Sequence, residues 1–347
     1  MMTVTTLTDG GQDPVTIGSA LRDYLAGAHT SLDIALYDFA LGPGLEGLIV
    51  DPIEEAGRRG VAVRIAYNAD FRAPIPVPAP PKLAPEDIER LTVPTKGIPG
   101  IPDLMHHKYV VRDLASVWTG STNWTDDSWS REENVIVVLD SPELARVFTL
   151  NFAELWTSGI VEESGKVEPR PVQVDGVEVR PWFCPGFGDA LSHRIAKAIG
   201  RAKRRVRICS PVITAAPILA TLAQVIADGA LDVAGAVDQT QIEEVQAQWG
   251  PNGVRSWKLP LLLQVVASGR FAGKRSTPWT PESVHDYMHA KVTVADDVVF
   301  LGSFNLSHSG EQNAENVLEI HDPALAERLA GFVDSVRARY PVASLKA

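Results

Sequence analysis

His106-His107-Lys108-Tyr109-Val110-Val111-Arg112-Asp113 is written a second time as His289-Ala290-Lys291-Val292-Thr293-Val294-Ala295-Asp296, so each stretch reads His-x-Lys-x4-Asp. The agreement continues downstream, where Gly120-Ser121-Thr122-Asn123 matches Gly302-Ser303-Phe304-Asn305 and Glu133-Asn134 matches Glu315-Asn316; upstream, Met105 matches Met288. One short pattern can arise by accident, but this set recurs at a nearly constant offset and marks an internal duplication. The spacing from Asp to Gly-Ser is one residue longer in the first copy, which predicts a small difference in one turn.

Outward from the motifs, both halves read alike. In the first, hydrophobic periodicity predicts a helix over residues 17–25, a strand over 31–37, a helix over 45–59 stopped by Gly60, and a strand over 61–67. The second repeats the plan, with a helix over 191–200, a strand over 206–210, a helix over 218–227 and a strand over 231–237. Residues 28–34 lie against 202–208 with apolar positions in step. Strand, helix, strand predicts a right-handed parallel crossover in each half. The expected fold is therefore α/β: two similar α-β-α lobes with mixed or parallel sheets, related by pseudo-twofold symmetry, with the site at their interface. The lobes are expected over residues 1–165 and 166–347, because the pattern loosens between 158 and 171.

Each motif reads as a strand, over residues 108–112 and 291–295. Side chains two apart on an extended segment project the same way. His106 with Lys108, and His289 with Lys291, can then address one group, while His107 points away into packing. Before each motif lies a stretch of different composition. Residues 72–102 hold Pro74, Pro76, Pro78, Pro80, Pro81, Pro85, Pro94, Pro99 and Pro102, and the early part is expected to be extended. Residues 246–283 carry Trp249, Trp257 and Trp279. Specificity is expected in these two insertions.

Composition sets outer limits. The chain has 347 residues, 45% of them hydrophobic, enough for two ordinary domains or one two-lobed unit. Its first residues lack a basic start and an apolar run, and the apolar stretch 259–267 is too short to span a bilayer, so a cytoplasmic location is expected. Cys184 and Cys209 read as buried thiols. The net charge of -11 argues against a general nucleic-acid binder, and the basic run Arg201-Ala202-Lys203-Arg204-Arg205-Val206-Arg207 reads as a solvated helix end.

These residues make the chain resemble the phospholipase D superfamily, whose mark is the paired His-x-Lys-x4-Asp motif. The resemblance covers most of the length and implies phosphodiester cleavage through a phosphohistidine, followed by transfer to water or an alcohol. It implies catalytic roles for His106, Lys108, His289 and Lys291, with His106 as nucleophile and His289 as general acid and base. Ser121, Asn123, Ser303 and Asn305 are expected to bind the substrate, Glu133 and Glu315 to orient the imidazoles, and Asp113 and Asp296 to be structural. Nothing in the chemistry asks for a metal or other cofactor, and a zinc reading of His106-His107 fails for want of further ligands at suitable spacing. The expected partner is a phosphodiester substrate, a phospholipid at a membrane surface, with no stable protein partner inferred. A cytoplasmic nuclease of the same superfamily is the alternative, and a non-catalytic scaffold is a third reading that two intact motifs disfavour. His29, His193 and His321 read as surface or helix-end residues, and Trp118 and Trp124 as core.

Overall fold

The computed structural model describes residues 1–69, 88–250, 257–278, 280 and 283–345. In the first half, β1 (Met2–Leu7), α1 (Pro14–Ala26), β2 (Ser31–Leu36), β3 (Phe39–Ala40), α2 (Glu46–Arg58), β4 (Ala62–Ala69) and β5 (Thr95–Pro99) precede the motif strand β6 (Lys108–Arg112). There follow β7 (Ser116–Gly120), β8 (Trp124–Thr125), α3 (Asp126–Ser130), β9 (Asn134–Asp140) and α4 (Pro142–Ser158). The second half runs β10 (Val172–Val174), β11 (Val177–Phe183), α5 (Gly188–Arg201), β12 (Arg205–Cys209), α6 (Ala216–Asp228), β13 (Asp232–Asp238), α7 (Gln239–Trp249), α8 (Leu259–Ala267) and β14 (Phe271–Lys274). Its motif strand β15 (Val292–Ala295) leads to β16 (Val298–Gly302), α9 (His308–Gln312), β17 (Asn316–His321) and α10 (Pro323–Arg339).

The first sheet has the order β1-β9-β7-β6-β2-β4-β5 and the second β10-β11-β17-β16-β15-β12-β13-β14. Apart from the extra edge strand β10, the orders correspond strand for strand. In both, the two pairings beyond the first parallel strand are parallel, β2–β4–β5 and β12–β13–β14, and the motif strand joins antiparallel to β2 or β12. Two similar halves with mixed sheets are what the duplication predicted.

Period-two alternation sorts each strand's side chains. Ile34 and Val110 pack outward with Leu21 and Leu25 of α1, whereas Ala35, Tyr109 and Val111 face a core that also holds Val292 and Val294 of the other sheet. Between the sheets lie α4, against β2, β4, β6 and β7, and α10, against β12 to β16. Phe148 of α4 sits edge-on to Tyr109 of β6 at 5.1 Å and to Phe183 of β11 at 5.0 Å, bonding the halves through one aromatic cluster. The site therefore rests on a shared core rather than on two loosely apposed domains.

The reading of 72–102 and 246–283 as insertions needs correction. The early prolines expected to be extended lie outside the described residues, while Thr95–Pro99, late in the first stretch, is an edge strand parallel to β4. Likewise 246–283 is only partly an insertion. It contains α8 and β14, the counterpart of β5; Trp249 is core, Trp257 is exposed, and Trp279 lies outside the described residues. Proline and tryptophan content hid edge strands whose partners are remote in sequence.

Other readings hold. Cys184 and Cys209 are free and buried, and Trp118 and Trp124 pack in the outer core of the first half. Three of the five basic residues of the run form ion pairs, Arg204 with Asp297, Arg205 with Glu327 at 2.6 Å, and Arg207 with Asp232 and Asp334 at 2.6 and 2.7 Å. Among the described residues no helix is long and apolar enough to cross a membrane.

Candidate active site

Each motif strand leaves its sheet toward the opposite half. Met105 forms a parallel bridge with Ala314, and Met288 forms one with Glu133. Behind them, Asn68 at the end of β4 accepts the Met105 N–H at 2.9 Å, and Asp238 at the end of β13 accepts the Met288 N–H at 3.1 Å. Equivalent anchors thus aim the next residue, His106 or His289, at the seam. Both imidazoles line one cavity of about 280 Å³, together with Asn123 and Asn305.

Lys108 and Lys291 are almost wholly buried and are not among the residues lining this cavity; each ammonium donates to its own motif's backbone, Lys108 Nζ to His106 O at 2.7 Å and Lys291 Nζ to His289 O at 2.6 Å. Lys108 also lies over the Tyr37 ring at 4.5 Å. Burial pushes the Lys108 ammonium down to about 7 and Lys291 well below its usual range, the latter also through the neighbouring Lys108 charge. An anionic ligand would offset that repulsion. Burial, followed by the two ammonium groups, likewise holds both imidazoles well below the ordinary histidine value, which favours neutral rings.

The partners at Nδ1 differ. His106 Nδ1 sits on the Glu315 carboxylate at 2.8 and 2.9 Å. His289 Nδ1 meets the Asn134 amide oxygen at 3.2 Å and Glu132 at 3.3 Å. Glu133, expected to orient His289, does not reach it. That carboxylate is fully buried on Lys274 Nζ at 2.9 Å and on the Tyr340 hydroxyl. The sequence pairs Glu133 with Glu315, but in the structure Glu132, one residue earlier, is the carboxylate that meets His289, while Glu133 lies on Lys274. Burial raises the Glu132 carboxyl to about 8, with Asp127 adding to the effect, and raises Glu315 to about 7. Burial thus opposes charge on all four groups, raising both acids and lowering both imidazoles.

The other expected residues divide into two groups. Asn123 and Asn305 present amides to the cavity, and among the described residues the Oδ1 of each is buried without a partner. Ser121 and Ser303 instead turn to the strands behind: Ser121 Oγ accepts the Val135 N–H at 2.9 Å and donates to Asn134 at 2.6 Å, while Ser303 Oγ accepts the Asn316 N–H at 3.0 Å. They brace the wall rather than line it.

Asp113 and Asp296 lie at the far ends of their strands with φ of 55° and 52°. Asp113 accepts the N–H groups of His29, Thr30 and Ser31, and Asp296 those of Lys203, Arg204 and Arg205, all at 2.6 to 3.0 Å. These bonds lower both carboxyl pKa values against the opposing effect of burial. His107 is buried, with Nδ1 at 3.2 Å from Asn316 and its ring against Tyr109. His29 and His193 are exposed, and His321 is partly exposed on Glu319.

Sequence reasoning missed Tyr37, Asp38, Glu132, His285 and Tyr287, all of which line the cavity. Tyr37 and Asp38 directly follow β2, at the carboxyl end of a parallel strand, where α/β sheets place ligands; that was the available signal. Asp38 is buried, and its carboxyl is raised to about 7 by burial and by Asp127. Among the described residues no cluster of three or more His, Cys, Asp or Glu side chains is arranged to hold a metal ion.

The family model described as "Cardiolipin synthase, PLD-like domain" matches residues 21–156 and 195–336, one span in each half. The human mitochondrial cardiolipin hydrolase is 30% identical over 142 residues, covering 40% of this chain and 50% of that protein; the Danio rerio protein of the same name is 25% identical over 143 residues, covering 40% and 56%. The chain thus spans about half the length of these relatives. Phosphatidylserine synthase of Haemophilus influenzae superposes with a TM-score of 0.66 at 13% identity, covering 97% of this chain and 86% of that one, a likeness of fold. Two motif copies, their convergence on one cavity and a family match in both halves lead to one conclusion: the chain belongs to the phospholipase D-like family of the cardiolipin synthase type.

Proposed function

We propose that this chain is a phosphodiesterase acting on phospholipids, with His106 as nucleophile and His289 as general acid and then base. The observation that carries the reading is the convergence of two imidazoles, one from each half, on a single cavity with an ammonium group buried behind each. Glu315 on Nδ1 holds the His106 proton there and leaves Nε2 with a lone pair. As Nε2 forms a bond to phosphorus, the bond from phosphorus to the head-group oxygen breaks and its electron pair departs with that oxygen. The proton on the His289–Glu132 couple passes to the leaving oxygen. Neutral His289 then takes a proton from water or an alcohol, whose oxygen attacks phosphorus and releases His106. Lys108, Lys291, Asn123 and Asn305 supply charge and donors to the nonbridging oxygens.

The family match and the names of the relatives support a phospholipid substrate. The test is parallel assay of cardiolipin and phosphatidylcholine vesicles, single- and double-stranded DNA, and bis-nitrophenyl phosphate. Turnover of a vesicle lipid is expected, with a loss of roughly 10²- to 10⁴-fold in His106→Ala and in His289→Ala. Cleavage of DNA alone would replace the lipid reading with the nuclease one; unchanged rates in either variant would overturn the two-histidine mechanism.

A further inference from the structure

The two halves differ at one buried position that the chemistry above does not use. Asn68 pairs with Ile98 across β4 and β5, and Asp238 pairs with Lys274 across β13 and β14, so Lys274 stands where the first half has a buried isoleucine. Its side chain is 4% exposed, and Nζ donates to Arg131 O at 2.8 Å, to Glu133 Oε2 at 2.9 Å and to Tyr287 O at 3.5 Å, with Asp9 Oδ2 at 3.3 Å. Arg131 and Glu133 flank Glu132, and Tyr287 lies two residues before His289. One ammonium therefore ties together the two chain segments that present this carboxylate and this imidazole to each other.

In the other half the corresponding junction involves no cation among the described residues: Leu104 and Ala314 bond through their backbones at 2.8 Å, and Asn313 accepts the Leu104 N–H at 2.9 Å. There Glu315, the sequence partner of Glu133, is left to face His106 directly.

We propose that Lys274 is a positioning residue: by taking up Glu133 and bridging residues 131–133 to 287, it sets Glu132 against His289 and so makes a near-symmetric duplicated site unequal. The inference rests on the mechanism proposed above for its kinetic readout, but its structural content can be read without turnover. Charged groups around His289 are Glu132, Lys291, Lys108, His106 and His285. Removing Lys274 leaves the buried Glu133 carboxylate uncompensated beside them and favours the protonated ring.

The test uses the full chain with Lys274→Met, and with Lys274→Met/Glu133→Gln, which removes both members of the buried pair and so guards against simple unfolding. For the single variant the alkaline limb of the pH–rate profile is expected to move to higher pH. For the double variant, assayed well below its melting temperature, we expect kcat to fall by about 10-fold or more with KM little changed. The ¹⁵N shifts of the His289 ring should change in both, reporting an altered contact at Nδ1. Wild-type kcat, pH limb and ring shifts in both variants, even with lowered melting temperature, would reduce Lys274 to a structural residue and overturn the proposal. If the wild-type chain cleaves no phosphodiester, the functional reading fails, and the ring shifts alone decide for or against Lys274.

Discussion

At the scale of single residues, the duplication supplied two equivalent imidazoles and the surroundings made them unequal. A carboxylate pressed on Nδ1 of His106 and a looser amide and carboxylate on His289 are differences of tenths of an ångström, and the proposed mechanism uses them to separate the ring that gives up a lone pair from the ring that holds a proton. Glu132→Gln should lower kcat by roughly 10- to 100-fold, the usual effect of losing an orienting partner. The sign of the pH effect follows from charge: without the nearby carboxylate the His289 imidazolium is less favoured, its pKa falls, and the alkaline limb moves to lower pH. A rate profile unchanged in position and height would remove Glu132 from the mechanism.

At the scale of elements, the motif is a strand with a task at each end. Its amino end projects His and Lys toward the seam; its carboxyl end turns at Asp113 or Asp296, which ties down the loop entering β2 or β12. The glycine of each Gly-Ser-x-Asn is fixed by close approach, since a Cβ on Gly120 would lie 2.1 Å from Val135 O and one on Gly302 2.1 Å from Asn316 O. Gly302→Ala must therefore push β16 from β17 just where Asn316 and Glu315 begin. We expect a loss of at least about 2 kcal/mol, in the range of overpacking and backbone strain, with activity falling further than stability; denaturant unfolding and turnover measured together check this, and wild-type values in both would contradict it.

For the whole molecule, function depends on a core that neither half completes alone. Phe148, Tyr109 and Phe183 join α4, β6 and β11, and α10 closes the same cluster from the other side. Phe148→Ala should cost about 3–5 kcal/mol and should do so in a single transition followed equally by probes in either half. Two separate transitions would mean that the lobes fold independently and that the seam is weaker than its packing indicates.

The chain's order of residues by itself determined the duplication, the α/β plan of each half and the family, because each rests on local periodicity or on a pattern compared with its own copy. It also singled out His106, Lys108, His289, Lys291, Asn123 and Asn305 as the candidates on which the proposed chemistry is built. What only the tertiary structure decided are features that depend on contact between segments far apart in the chain: the edge strands β5 and β14, the inward turn of Ser121 and Ser303, the cavity positions of Tyr37, Asp38, His285 and Tyr287, and the exchange of Glu133 for Glu132. The last shows the physical reason most plainly. Two adjacent glutamates compete for one imidazole, and the outcome is set by an ammonium that arrives from position 274, more than a hundred residues away, to neutralise one of them.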